Sequence, residues 1–172
     1  MKELRFEIKD KRLLESIGRA PGVLKKHLKP AISRSILEMA RGARRNAPKA
    51  QSVLTNSILT RMSLDGLEGI ARPTANYGQA VEEGTGRYGP SGQASGKLPP
   101  VDAIQDWIDV KNIEPDDPTM TQEDLAYLIA RSIAMRGTPA QPYLYPSFRQ
   151  HKAAAARRID GAIAAAIREV QR

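Results

Sequence analysis

The sequence predicts an α+β fold in which long N- and C-terminal helices pack on a small antiparallel sheet, with a long exposed loop between. Three observations carry this. An apolar stripe at helical spacing runs from Leu24 to Ala43, the period switches to two around Asp65-Gly66, and helical spacing then returns and lasts to Val170.

Each element has its own signal. Leu4, Phe6 and Ile8 alternate with Lys2, Arg5, Glu7 and Lys9, which reads as a short strand or an extended arm over residues 1–10. Leu13, Leu14 and Ile17 suggest a helical turn or two before Pro21-Gly22. From Val23 to Ala47, Leu24, Leu28, Ile32, Ile36, Met39 and Ala43 recur every three or four residues and line up one apolar stripe. Pro30 either kinks this helix or marks its true start, and Asn46-Ala47-Pro48 ends it. Ile58, Thr60, Met62 and Leu64 then alternate with Leu59, Arg61 and Ser63, and a second run follows Asp65-Gly66. Asp-Gly between two such runs predicts a hairpin over about 57–73 closed by a type I′ turn. Residues 84–100 hold five glycines and three prolines and read as a long exposed loop.

Two helices and a closing third follow. Val101, Ile104, Trp107 and Ile108 make a compact amphipathic helix. After an acidic turn at Asp116-Asp117, Thr121 caps a second helix, with Asp124 completing a near capping box. Leu125, Leu128, Ile129 and Ile133 give its buried face, and Gly137 its stop. Pro139 to Pro146 reads as extended. Phe148 to Val170 is an alanine-rich helix with Ile159, Ile163, Ile167 and Val170 on one side, and Ala153 to Ala156 let another element approach closely.

Composition bounds the class. At 172 residues, a single domain spanning 1–172 is the natural expectation. Hydrophobic residues are 41% and charged residues 27%, so a packed core is expected rather than disorder. Aromatics are only 5%, which leaves that core to Leu, Ile, Val and Ala. With no cysteine, disulfides, thiolate metal sites and cysteine nucleophiles are excluded. No run approaches the roughly 20 apolar residues of a membrane span, nor does the first stretch resemble a signal peptide. A soluble protein made in a reducing cytoplasm is expected.

The net charge of +8 is unevenly laid out. Residues 1–64 carry 15 basic and 5 acidic side chains, residues 65–130 carry 4 and 12, and residues 131–172 carry 8 and 2. Alternation of sign in blocks suits a subunit whose acidic part meets a basic part of its neighbour. Neutralisation within one fold explains the same pattern.

Catalytic constellations are missing from the sequence. His27 and His151 both stand beside lysines in helical context, as solvated surface histidines do. There is no HExxH, GxSxG, GxGxxG or GxxxxGK[ST]. Glu82 and Glu83 are adjacent, so on a regular element their carboxylates diverge. Asp116-Asp117 lacks the spaced oxygen ligands of a calcium loop. Gly84-Thr85-Gly86 follows acidic residues, the wrong electrostatics for phosphate. No metal or cofactor is expected, and an enzyme such as a nuclease or peptidase lacks its residues.

Basic residues offer another chemistry. Arg34, Arg41 and Arg45 fall on one face of the long helix, with Arg44 and Lys49 close by, and could meet DNA phosphates. Nothing in the sequence supports base-specific reading, so a nonspecific DNA-binding accessory protein is the alternative class.

Two segments carry a resemblance. Asn76-Tyr77-Gly78-Gln79-Ala80-Val81-Glu82-Glu83-Gly84-Thr85 is similar to the Y-A-x-x-V-E-x-G-T signature of the tail-completion proteins of long-tailed bacteriophages. Gly137 to Phe148, GTPAQPYLYPSF, resembles that family's G-x-x-x-x-P-F-L-x-P-A segment. The order of elements matches too: a basic helix ending in Ala-Pro, an x-L-x-x-S-I stretch at Val53 to Ile58, the hairpin and a long terminal helix. The likeness covers roughly residues 20–170 but not the variable 86–122. The departures are Gly78 for Ala, Tyr143 for Phe and Ser147 for Ala.

This resemblance implies a non-enzymatic minor virion component of the neck. Such a protein forms a homo-oligomeric ring between head-closure (connector) proteins and the tail-terminator or tail-tube proteins, and DNA passes through it. A hexamer is expected by analogy with neighbouring rings, assembled in the host cytoplasm and without a membrane. The candidate interface set is Tyr77, Val81, Glu82, Glu83, Gly84, Thr85, Pro142, Tyr143, Leu144 and Tyr145. Pro142 and Pro146 would stiffen the stretch presenting Tyr143, Leu144 and Tyr145, as an interface anchor requires. Core packing explains these residues equally well.

Overall fold

The computed structural model describes residues 4–6, 21–49, 52–93 and 97–170. The turn expected at Leu13–Ile17 and the arm outside residues 4–6 lie beyond these. The fold is α+β, with the two long helices packed together. Where the sequence reads as one domain, the chain separates into two compact units, both discontinuous. Residues 1–46, 57–74 and 143–172 form the first, and residues 47–56 and 75–142 the second.

In the first unit, α1 (Pro21–Asn46) and α6 (Leu144–Val170) lie side by side. All six residues of the α1 stripe are buried, from Leu24 to Ala43. Pro21 opens the helix, where a missing N–H costs nothing, so Pro30 lies inside it rather than at its start. The polar contacts show the two helices antiparallel: Lys26 and His27 reach Glu169 at 2.8 and 2.7 Å, while Ser147 Oγ donates to the Met39 carbonyl at 2.6 Å. Between these, Arg158 donates to Ser35 Oγ at 2.9 Å and to Glu38 at 2.8 Å. Gly42 makes the close crossing possible, since a Cβ there would stand 2.3 Å from Ser147 Oγ.

Two expectations for α6 are corrected. Its buried line is Leu144, Ser147, Ala155, Ile159 and Ala166, while Ile167 and Val170 are exposed. Ile159 and the half-buried Ile163 pack inward as expected, but beyond them the small Ala166 takes the seam and the bulkier Ile167 and Val170 fall to its flank. The helix also begins at Leu144, so Tyr143–Pro146 is not an extended presenting stretch. Pro146 lies in the first turn, where no i−4 carbonyl is waiting for its N–H.

Strands β1 (Leu4–Phe6), β2 (Ile58–Met62) and β3 (Gly69–Pro73) form an antiparallel sheet in the order β1-β3-β2. Ile58 faces Pro73 and Met62 faces Gly69, and β1 sets Leu4 against Ala71. Ile58, Ala71, Gly69 and Pro73 are buried; Leu59, Arg61 and Arg72 point outward. The connection is not the expected two-residue type I′ turn. It spans Ser63 to Glu68, and only Gly66 has a positive φ, +74°. Asp65 accepts from Ser63 Oγ and from the Leu67 N–H, an Asx turn that keeps Asp65 itself out of the left-handed region.

The second unit contains α2 (Val53–Ser57), which ends at its boundary, α3 (Gly78–Glu83), a 3₁₀ turn at Gly86–Tyr88, α4 (Val101–Lys111) and α5 (Gln122–Arg136). Its core is Ile104, Ile108, Ala126 and Ala130, flanked by Leu125, Ile129 and Ile133. Leu128, expected inside, is exposed, because alanines again hold the seam of α5. The capping box expected at α5 is present: Thr121 Oγ1 accepts from the Asp124 N–H at 3.1 Å, and the Thr121 N–H donates to Asp124 at 3.1 Å. Asn112 closes α4 with a left-handed φ of +48°.

Candidate functional site

The segments 76–85 and 137–141 meet in the second unit. The Thr85 N–H donates to the Thr138 carbonyl at 2.9 Å, and the Thr138 N–H donates to Thr85 Oγ1 at 2.9 Å. The two threonine hydroxyls share a third hydrogen bond of 2.9 Å, and the Gln141 N–H donates to the Val81 carbonyl at 2.8 Å. Glycine makes this clasp possible. Gly84, Gly86 and Gly137 have φ of +75°, +60° and +81°, and a Cβ on Gly137 would fall 2.0 Å from the Thr85 carbonyl oxygen. The stop signals of two helices are therefore also the surfaces on which their loops interlock. The start of the loop expected to be exposed, Gly84 to Gly86, is consequently packed, and exposure begins at Arg87.

Beside the clasp lies an apolar groove of about 580 Å³. Ile104, Ile129 and Ile133 line it from the unit's core, and Tyr77, Val81, Val53 and Leu54 line it alongside Pro99, Pro100 and Trp107. Asp106 supplies a carboxylate among these lining residues. Trp107 and Tyr77 are 38% and 36% exposed, large apolar surfaces left partly in water. Burial pushes the Tyr77 phenol above its usual pKa, against the opposing pull of a hydrogen bond with the Leu54 main chain.

The predicted interface residues sort differently from their motif. Tyr77 and Val81 line the groove, whereas Glu82 beside them is buried and Glu83 pairs with Gln79 at 3.2 Å. The two carboxylates diverge as adjacent helical residues must. Thr85 and Gly84 build the clasp. Pro142 and Tyr145 are exposed, but Tyr143 and Leu144 are 0% and 3% exposed and serve the core of the first unit. Both are therefore buried rather than presented, Leu144 in the first turn of α6 and Tyr143 immediately before it. Sequence reasoning missed Trp107, Pro99, Pro139 and Ile133 as groove residues, because periodicity assigned Trp107 and Ile133 to a buried face and the prolines to loops.

Of the basic candidates, Arg34 is drawn to Glu38 at 3.1 Å and Arg44 donates to the Ile58 carbonyl, tying α1 to β2. Arg41, Arg45 and Lys49 are exposed. Burial raises the Glu38 carboxyl, but Arg158 and Arg34 outweigh it and hold the group below its usual pKa. His151 Nδ1 donates to the Ser147 carbonyl, 2.8 Å away, and Ser147 Oγ is committed to Met39. Asp117 folds onto Thr119 at 2.7 Å, an Asx turn. No three His, Cys, Asp or Glu side chains among the described residues stand close enough to share a metal ion.

No family model, curated protein or solved structure matches the chain. No described helix is long and apolar enough to cross a membrane.

Proposed function

We propose that this chain is a structural subunit of a bacteriophage neck, acting through assembly rather than catalysis. It would form a ring that joins the head-closure complex to the tail tube and lets DNA pass. One observation carries the reading. The two segments that resemble the tail-completion family, with their threonines 53 residues apart, interlock as one glycine-dependent clasp beside an apolar groove. A motif pair whose residues fix each other's backbone is expected of a fold signature, and a partly exposed aromatic groove is expected of a surface that another chain covers. The charge layout also supports it. The first unit holds 21 basic and 9 acidic side chains, net +12, and the second holds 6 and 10, net −4.

The test is cryo-microscopy of virions whose genome encodes the chain. Copies of it are expected in a closed ring, six by analogy, at the head–tail joint. Necks that lack the chain, or hold it as isolated monomers, reject the reading.

Exposed Arg41 and Arg45 and the +12 of the first unit favour a second reading, a nonspecific DNA-binding accessory protein. It expects the isolated protein to bind duplex DNA with steep salt dependence. A flat titration at low salt discards it.

A further inference from the structure

We infer that the groove of the second unit is the seat for the β-hairpin tip of a second copy of this chain, with Leu64 entering the groove and Arg61 meeting Asp106. Among the described residues Leu64 is the most exposed large apolar one, at 107%, whereas Leu59, Val110 and Leu128 each keep roughly half their surface covered. It also sits on a braced loop. The Ser63 hydroxyl and the Leu67 N–H both donate to Asp65, the Glu68 N–H donates to Ser63 Oγ at 2.9 Å, and the Gly66 N–H donates to the Ser63 carbonyl at 3.0 Å. Gly66 in turn rests on the Lys29 stem, with no room for a Cβ. A leucine held out on a stiff turn loses little entropy when it docks.

The groove has the complementary chemistry. Its apolar core wall suits a leucine, and the adjoining exposed face of α4 carries Asp102, Asp106 and Asp109 at spacings of four and three. The outer face of the hairpin carries Arg61 and Arg72, both exposed. Net charge favours the same pairing, a +12 unit presenting the tip and a −4 unit presenting the groove. Tip and groove are different surfaces, so each copy offers one of each. The contact is head-to-tail, the class of contact from which closed rings are built.

This deepens the ring reading and rests on it for self-association alone. The chain has no cysteine, so engineered cysteines report without background. Leu64→Cys and Ala103→Cys, made in separate proteins, are mixed and mildly oxidised. Ala103 is an exposed lining residue of the groove. A disulfide-linked heterodimer is expected, and the doubly substituted chain should give a ladder. A Val170→Cys protein mixed with Ala103→Cys should stay unlinked. In sedimentation, Leu64→Ser is expected to weaken self-association about 10- to 100-fold. Arg61→Glu should weaken it about tenfold, and Asp106→Arg should restore the Arg61→Glu protein. No heterodimer, or equal linking through position 170, overturns the contact. If the unmodified chain still self-associates in that case, the ring reading stands and only this seat is wrong. If it does not, both fail.

Discussion

At the scale of single residues, the glycines of the clasp are the sharpest test. Gly137 combines a φ of +81° with a Cβ position 2.0 Å from the Thr85 carbonyl, so any side chain must break the Thr85–Thr138 pairing or strain the backbone. Gly137→Ala is expected to cost about 3–5 kcal/mol in urea unfolding; a loss under 1 kcal/mol would mean the two segments do not depend on each other. Glu38 gives the pH prediction. Its folded pKa is depressed, so its contribution is full above the ordinary carboxylate pKa and is lost as pH falls through the lower folded value. The Glu38→Gln protein should show a shallower fall of stability below about pH 4, measured by denaturant titration at several pH values. Some slope should survive from Asp65, Asp124 and Glu169, which hydrogen bonds also hold low. What the sequence showed of these residues was partial. Gly137 is readable as a helix stop from local spacing, but its contact with Thr85 and Gly86 is long-range, and so is the turn of Arg158 toward Glu38.

At the scale of elements, local signals were read well where the cause was local. The α1 stripe is buried throughout, and the Thr121 capping box forms as its spacing requires. Thr121→Ala should cost about 1 kcal/mol and raise hydrogen exchange in the first turn of α5, while α4 and the helices of the first unit keep their protection. Uniform loss of protection would mean that the cap does not act locally. Elements were misread where neighbours decide. Pro142 and Pro146 suggest an extended stretch, yet a proline in the first turn suits a helix, and the core claims Tyr143 and Leu144. Asp65-Gly66 suggests a tight turn, yet the Asp65 side chain captures Ser63 and the Leu67 N–H and widens the loop to six residues. Leu128, Ile167 and Val170 look like core by period, but alanine seams bring the helices together on another line.

At the scale of the whole molecule, the three charge blocks of the sequence resolve into two units, because the first unit takes both ends of the chain and the hairpin. Nothing in the composition marks this division. The chain passes between units near residues 46, 56, 74 and 142 without a Gly/Ser linker, so a sequence reader sees one domain. Opposite net charges of +12 and −4 then make a prediction about assembly. If the basic unit of one copy meets the acidic unit of the next, part of the affinity is Coulombic and is screened by salt. Raising ionic strength from roughly 0.05 to 0.5 M brings the Debye length below the separation of most exposed charges on facing surfaces. Self-association measured by sedimentation should weaken at least tenfold across that range. The apolar part of the contact is not screened, so Leu64→Ser should lower affinity by the same factor at both salt levels. Association that is indifferent to salt, or that strengthens with it, would mean that like surfaces meet through their apolar faces and that the charge segregation serves only to solvate each unit.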